Sequence, residues 1–365
     1  MPHTHSQSAP HQQHTHRVVR LTFLVVLASL SLLTASCASA PESAAIPDDT
    51  RVQPAPAGNP LENDNGEYFT KEYEWTYWRF DEITWRWSVD IPRSLHRYYS
   101  NKPRPTTRDY SVYATEELDR DIIRSLGDTL QGYAESLDLD AYETVHFIAA
   151  FVQQLAYTSD AETTGFDDYG RYPIETLVAE GGDCEDTAIL LGKLMVEMGY
   201  DVVLVRLPEH MALGVLEDFK YAGTYYPYNG NKYFYLETTG LAGRIGMVPE
   251  EYEGQLAYIY DFSPRAAIDH TWTGQRGRQT YDLSIHVENQ GSAPAYGCSI
   301  YAGFDAGGSK LWNTAQSQEF DLEPGQGIDL EMSLKMPDEE HTRLMVYVLR
   351  NGKSVDKSRS AWFDE

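Results

Sequence analysis

Apolar positions recur at helical spacing through the middle of the chain and alternate toward its end. Between residues 115 and 137, Leu118, Ile122, Leu126, Leu130, Tyr133 and Leu137 fall along one side of a predicted helix. Asp140 opens a second helix with Glu143 three residues on, the pattern of a capping box, and the helix carries Val145, Ile148, Ala149, Val152 and Ala156. His146 lies beside that stripe and reads as structural. A third helix starts at Cys184, where Cys184, Ala188, Leu191, Met195 and Met198 recur at steps of four, three, four and three.

Strand patterns flank these helices. Trp85, Trp87, Val89 and Ile91 alternate with polar residues until Pro92 ends the run. Such an aromatic row is either a platform for glycans or a strand packed on a neighbouring core, and the second reading is preferred. Short apolar runs follow the third helix, one opened by His210 and the next carrying the single carboxylate Glu237. From about 278 the period is two, in Tyr281, Leu283, Ile285 and Val287, in Ile328 to Met336, and in Leu344, Val346 and Val348 before Asn351-Gly352. Evenly spaced strands over 278–365 predict an immunoglobulin-like β-sandwich. The polar, glycine-containing segment 269–277 reads as a linker, so the two parts are expected to fold separately. Cys298, among strand residues, is expected in the core.

Charge and the N-terminal leader narrow the class. Across 365 residues, 55 Asp and Glu oppose 29 Lys and Arg, a net charge of −26, which repels a phosphate backbone and excludes nucleic acid as a partner. Arg17 and Arg20 precede the apolar run from Leu21 to Leu33, which is short for a membrane span and has the form of a signal peptide over 1–36. Small residues ending at Cys37 look like a lipobox, which implies a lipid on that cysteine and a place on the outer face of the cytoplasmic membrane. Simple secretion and an N-terminal anchor are the alternatives. Residues 37–65 read as a flexible tether. The histidines crowded into 3–16 precede the signal and would leave with it. With cysteines only at 37, 184 and 298, no disulfide framework is available. The loop 158–172 carries Asp160, Glu162, Asp167 and Asp168 and reads as a solvated border of the cleft without EF-hand spacing.

The chemistry gathers at Gly181-Gly182-Asp183-Cys184-Glu185-Asp186. Asp183 is placed as N-cap, and a helix N-terminus stabilises a thiolate, so Cys184 is expected to have a depressed pKa. A helix-borne cysteine, a strand-borne histidine and an acid on the next strand are the parts of a thiol–imidazole–carboxylate relay. The set Cys184, His210, Glu237 in this order resembles the transglutaminase-like superfamily, and Gly182-Asp-Cys-Glu-Asp186 resembles its bacterial cysteine proteinases. The resemblance spans roughly 66–250. It implies an α+β fold, a papain-like transglutaminase core over 66–275, followed by the all-β sandwich, which itself looks like adhesion-type or CARDB-like modules of extracellular enzymes. It assigns Cys184 as nucleophile, His210 as base and Glu237 to a position where the family usually has Asp.

On this reading the protein is a cysteine peptidase or acyl transferase acting on amide or peptide carbonyls of a protein or peptide at the cell surface. Hydrolysis is favoured over cross-linking. The Cys184 N–H would serve the oxyanion, with Tyr157 as a second donor by position. The alternative is a non-catalytic surface binding or adhesion protein on the same scaffold. No cofactor is required. Like charge from Asp183, Glu185 and Asp186 raises a thiol's pKa, so an offset is needed, from the His210 imidazolium or from Ca2+. Asp183 and Glu185 match the calcium-binding acids of the adhesin-cleaving relatives.

Overall fold

A computed structural model describes residues 52–53, 66–105, 107–165, 169–216, 223–240, 243–338 and 341–363. The signal peptide, Cys37, most of the tether, and Asp167 and Asp168 lie outside the described residues. After a two-residue strand, Val52–Gln53 (β1), come a long hairpin, Tyr68–Tyr77 (β2) and Phe80–Pro92 (β3), and the helices Arg93–Asn101 (α1), Arg120–Ser136 (α2) and Ala141–Gln153 (α3). Strand Ala156–Tyr157 (β4), helices Asp160–Thr163 (α4) and Pro173–Ala179 (α5), and strand Gly181–Gly182 (β5) lead to helix Cys184–Glu197 (α6). Val202–Leu207 (β6), His210–Leu216 (β7), Tyr225–Tyr228 (β8), Asn231–Leu236 (β9) and Tyr258–Asp261 (β10) form an antiparallel sheet in the order β10-β6-β7-β9-β8.

Both faces of that sheet are covered, which is why β6 and β7 read as almost continuous apolar runs. Leu204, Leu213 and Val215 share a core with Leu190, Leu191 and Leu194 of α6. Val203, Val205, Ala212 and Tyr235 face the other way, under Val248 and Tyr252. The Trp85 strand is core: Trp75 and Trp85 pack on Phe147 and Phe151 of α3. Each fully buried large ring is worth roughly 2–3 kcal/mol. The capping box of α3 forms, with Glu143 N–H donating to Asp140 Oδ1 at 2.9 Å. His146 is buried and accepts the Ile245 N–H at 3.3 Å. Helix α2 begins at Arg120 rather than 115, because the preceding residues turn through a 3-10 segment, Tyr110–Ala114, whose Val112 carbonyl accepts from the Thr115 N–H and hydroxyl.

The rest is all β: Ile268–Arg276 (β11), Thr280–Asn289 (β12), Ala295–Asp305 (β13), Leu311–Gln316 (β14), Phe320–Leu322 (β15), Gly327–Lys335 (β16), Leu344–Arg350 (β17) and Lys353–Arg359 (β18). Two sheets, β1-β16-β12-β11 and β14-β13-β17-β18, contribute Ile285, Val287 and Leu330, and Ile300, Phe304 and Val346, to one shared core. Cys298 is fully buried there with a free thiol. The mixed helix and strand content agrees with an α+β class.

Two expectations are corrected. The segment read as a linker is β11, paired along its length with β12 from Ile268↔Asn289 to Arg276↔Tyr281. Its Gly274 serves close approach, not flexibility, since a Cβ there would lie 2.3 Å from the Tyr281 ring. Within the expected tether, Val52 and Gln53 pair with Ile328 and Gly327 of β16. All described residues fall in one unit, Pro41–Glu365. Ser292 Oγ donates to Thr115 Oγ1 at 2.6 Å, and Arg265 Nη1 reaches Asp109 Oδ2 at 2.5 Å, so polar bonds tie the sandwich to the helical part. Among the described residues, no helix is long and apolar enough to cross a membrane.

Candidate active site

Cys184 is delivered by a glycine-dependent approach. Strand β5 runs parallel to β4, and a Cβ on Gly181 would meet the Ala156 carbonyl oxygen at 2.4 Å; one on Gly182 would meet the Asp186 Cβ at 2.5 Å. Asp183 then caps α6, and Asp183 and Asp186 exchange backbone-to-carboxylate bonds at 3.4 Å. The sulfur is half-buried and donates to Glu185 Oε2 at 2.9 Å. Burial pushes the thiol far up, the Glu185 charge and hydrogen bond and the Asp183 charge push the same way, and the Met211 N–H bonded to the sulfur does not offset them. The expected depressed pKa is therefore absent from this arrangement. The helix N-terminus was legible locally, but burial and the Glu185 contact outweigh it.

His210 stands at the tip of the β6–β7 hairpin, paired with Leu207. Pro208 followed by Glu209 at φ 55° has the pattern of a type II turn. The imidazole Nε2 lies 3.0 Å from Glu237 Oε2 and 3.2 Å from the Tyr235 hydroxyl. Its face stacks on Tyr252 at 4.5 Å between centroids and 6° between planes.

Glu237 follows β9 directly, and each of its oxygens is held. Oε1 accepts the N–H groups of Thr238 and Thr239 at 3.0 Å and the Thr239 hydroxyl at 2.9 Å, while Oε2 accepts the Tyr235 hydroxyl at 2.6 Å. Burial pushes this carboxyl up, yet the bond and charge of His210, with Tyr235 and Thr239, outweigh it and bring it down to about 2. The extra methylene of Glu is thus taken up by a fixed carboxylate. Gly243 permits it, since a Cβ there would lie 2.5 Å from the Glu237 Cβ.

A small cavity of about 200 Å³ opens beside these groups, lined by Tyr110, Glu185, Arg206, Glu209, His210 and Met211 among others. Tyr157 is exposed, and its phenol is pushed up by burial and then by the charge of Cys184 and Asp183.

Behind the thiol lies a cluster that the solvated-loop reading missed. Asp160 is buried rather than solvated and accepts the Tyr169 N–H at 2.6 Å. Carboxylate oxygens of Asp160, Asp183 and Glu185 all lie within 4.8 Å of one another. Asp186 accepts the Arg171 N–H at 2.7 Å and pairs with its guanidinium, which also reaches Asp160 Oδ1 at 3.2 Å. Burial, then the charges of Asp186, Glu185 and Asp160, push Asp183 up to about 9. The donor set is all oxygen and anionic, with Arg171 as its paired cation, and it fits a hard divalent ion.

Sequence reasoning also missed Tyr235 and Tyr252. The signal for Tyr235 was present, because residues two apart on a strand share a face, and Tyr235 stands two before Glu237.

No protein-family description and no curated protein matches the chain. Weak likenesses to solved structures exist. Calcium-bound LapG of Legionella pneumophila is 21% identical over 39% of this chain and 83% of that one, at a TM-score of 0.27. Its EGTA-treated form gives 20% identity and a TM-score of 0.28, covering 42% and 81%. Beta-glucosidase 3B of Thermotoga neapolitana is 14% identical over 30% of this chain, at a TM-score of 0.19, and the chain spans only 18% of that enzyme's length. At such scores the likenesses decide neither fold nor activity, and the reading of the site rests on its own geometry.

Proposed function

We propose that the protein is an extracytoplasmic cysteine enzyme of transglutaminase-like type, with Cys184 as nucleophile, His210 as base and Glu237 as the acid that fixes the imidazole. The observation that carries this reading is the doubly held Glu237 at 3.0 Å from His210 Nε2. With Nε2 committed to the acid, Nδ1 is the nitrogen left for a thiol proton, and the sulfur accepts the N–H of Met211, the residue next to His210. Attack on an amide carbonyl gives a thioester and releases an amine protonated by His210; water then resolves the thioester. The Cys184 N–H at the first turn of α6 supplies an oxyanion donor, with Tyr157, which feels the Cys184 charge, as the second.

In the resting arrangement the Cys184 thiol donates its proton to Glu185 in a hydrogen bond and keeps it. Asp160, Asp183 and Glu185 would hold Ca2+, and the chemistry the ion supplies is positive charge against the carboxylates that keep the thiol protonated. We further read a lipid on Cys37 as the tie to the outer face of the membrane, the sandwich as an immunoglobulin-like module, and proteins or peptides at the cell surface as substrates.

Iodoacetamide alkylation of Cys184, followed against pH in EGTA and in Ca2+, tests the assignment. Alkylation at pH 6.5 should be faster in Ca2+ than in EGTA and should slow in His210→Ala. A rate equal to that of free cysteine and untouched by His210→Ala would sink the enzyme and leave the non-catalytic surface protein. Indifference to EGTA alone removes only the calcium.

A further inference from the structure

The sandwich has its own buried polar centre, at the edge where its two sheets meet. His270 and Trp272 of β11 turn inward, as shown by their pairing with Val287 and Ile285, both in the core. Across the gap, Asp356 and Ser358 of β18 turn inward opposite Val348 and Val346. The four meet in one cluster. His270 Nδ1 lies 2.5 Å from Asp356 Oδ2, His270 Nε2 lies 2.7 Å from Ser358 Oγ, and Trp272 Nε1–H donates to that oxygen at 2.8 Å. Asp269 joins from the same strand, and donor atoms of Asp269, His270 and Asp356 all lie within 4.8 Å of one another.

Two features separate this cluster from a nucleophile relay and from an ordinary sheet-to-sheet contact. The His270 side chain is only 1% exposed, so no substrate reaches the imidazole. Two carboxylates also converge where one would satisfy a histidine. Asp269 Oδ1 and Asp356 Oδ2 both accept the His270 backbone N–H, at 2.9 and 3.1 Å. Like charges buried side by side need a cation, and among the described residues no Lys or Arg side chain pairs with either carboxylate.

We infer that Asp269, His270 and Asp356 form a site for a divalent first-row metal of the Zn2+ class, which pins β11 to β18. One imidazole nitrogen with two carboxylate oxygens is a borderline donor set, unlike the all-oxygen set of Asp160, Asp183 and Glu185, so the two centres select different ions. Ser358 and Trp272 are its outer support. The Ser358 oxygen, backed by the Trp272 N–H, receives the His270 Nε2–H, and that fixes Nδ1 as the ligand nitrogen. The remaining position is water's.

The test uses the full chain, stripped with EDTA and dialysed against Zn2+. Histidines at 3, 5, 11, 14 and 16 are further ligands for this metal in the full chain, so the readout is the difference between variants. His270→Asn and Asp356→Asn should each bind one equivalent fewer than the wild type and lose its Zn2+-dependent rise in Tm. Ser358→Ala should keep the equivalent and weaken it by about 10- to 100-fold. Co2+ should quench Trp272 fluorescence, seen as a quench missing from Trp272→Phe. Should His270→Asn fail to fold, Asp269→Asn, at the half-buried rim, gives the same reading. Equal stoichiometry and equal Tm response across wild type, Asp269→Asn and Asp356→Asn would overturn the site and leave a proton-sharing clasp between the sheets.

Discussion

Among the described residues a histidine is buried against a carboxylate twice, and the two pairs differ in what surrounds them. His210 and Glu237 have side chains 9% and 10% exposed; His270 and Asp356 have 1% and 13%. The acids are about equally buried, and the imidazole of the second pair is closed off more completely. The first pair meets its acid through Nε2, at a hairpin tip that opens on a cavity, with a thiol beside the neighbouring N–H. The second meets its acid through Nδ1 and spends Nε2 on Ser358 inside a closed sheet edge. A histidine–acid pair becomes a candidate for catalysis when its second nitrogen is left toward a nucleophile and a cavity. Where both nitrogens are committed inside the core, the pair is architecture or a metal ligand.

The sharpest way to break this comparison is to remove each imidazole in turn. An ordinary thiol is about 1% thiolate at pH 6.5, so the pairing is worth up to about 100-fold in alkylation rate there. His210→Ala should lose most of that factor for Cys184 measured in Ca2+. His270→Ala should leave the rate within about twofold while lowering Tm. If both variants slow alkylation alike, the two pairs are coupled through the fold and the distinction drawn between them fails.

How much of this was legible beforehand follows from the range of the contacts involved. The chain order Cys184, His210, Glu237 was readable because each residue sits at the start or end of an element whose period shows in the sequence. The Asp140–Glu143 capping box was readable for the same reason, since it spans three residues. Asp160 and Arg171 were not, because Arg171 joins Asp160, 11 residues before it, to Asp186, 15 residues after it, and only the folded chain brings the three together. Segment 269–277 was misread because Gly274 looks the same in sequence whether it frees the chain or makes room for the Tyr281 ring. The thiol was misread because the helix N-terminus is local, whereas burial under the β7 strand is not.

The acids of the two pairs offer the next separation, through pH. Glu237 is held at about 2 against an ordinary 4.5. A carboxylate held below its unfolded value contributes stability above that value and loses it as pH falls through the folded one. Glu237 should therefore contribute about 3 kcal/mol at neutral pH, lost between about pH 4.5 and 2. Glu237→Gln should flatten that limb of the acid unfolding curve in urea titrations. Asp356 is also lowered, where burial pushes it up and the bond and charge of His270 outweigh that, so Asp356→Asn should act in the same direction. An acid limb unchanged by Glu237→Gln would mean that His210 and Tyr235 do not hold the carboxylate in solution.

The finest comparison is between the hydroxyls that support the pairs. Tyr235 touches both partners, the acid at 2.6 Å and the imidazole at 3.2 Å, whereas Ser358 touches the imidazole and Trp272 but not the acid. A bond to a carboxylate is worth about 1.5–3 kcal/mol and one between neutral groups about 1 kcal/mol. Tyr235→Phe should therefore cost more stability than Ser358→Ala and raise the midpoint of the Glu237 acid limb. It should also slow Cys184 alkylation in Ca2+, because a Glu237 freed from Tyr235 no longer fixes the ring. Ser358→Ala, measured in EDTA so that no metal contributes, should cost about 1 kcal/mol with alkylation unchanged. If Tyr235→Phe lowers stability without moving either the acid limb or the alkylation rate, its hydroxyl only fills a buried bond. The orientation of His210 would then rest on Glu237 and the Tyr252 stack alone.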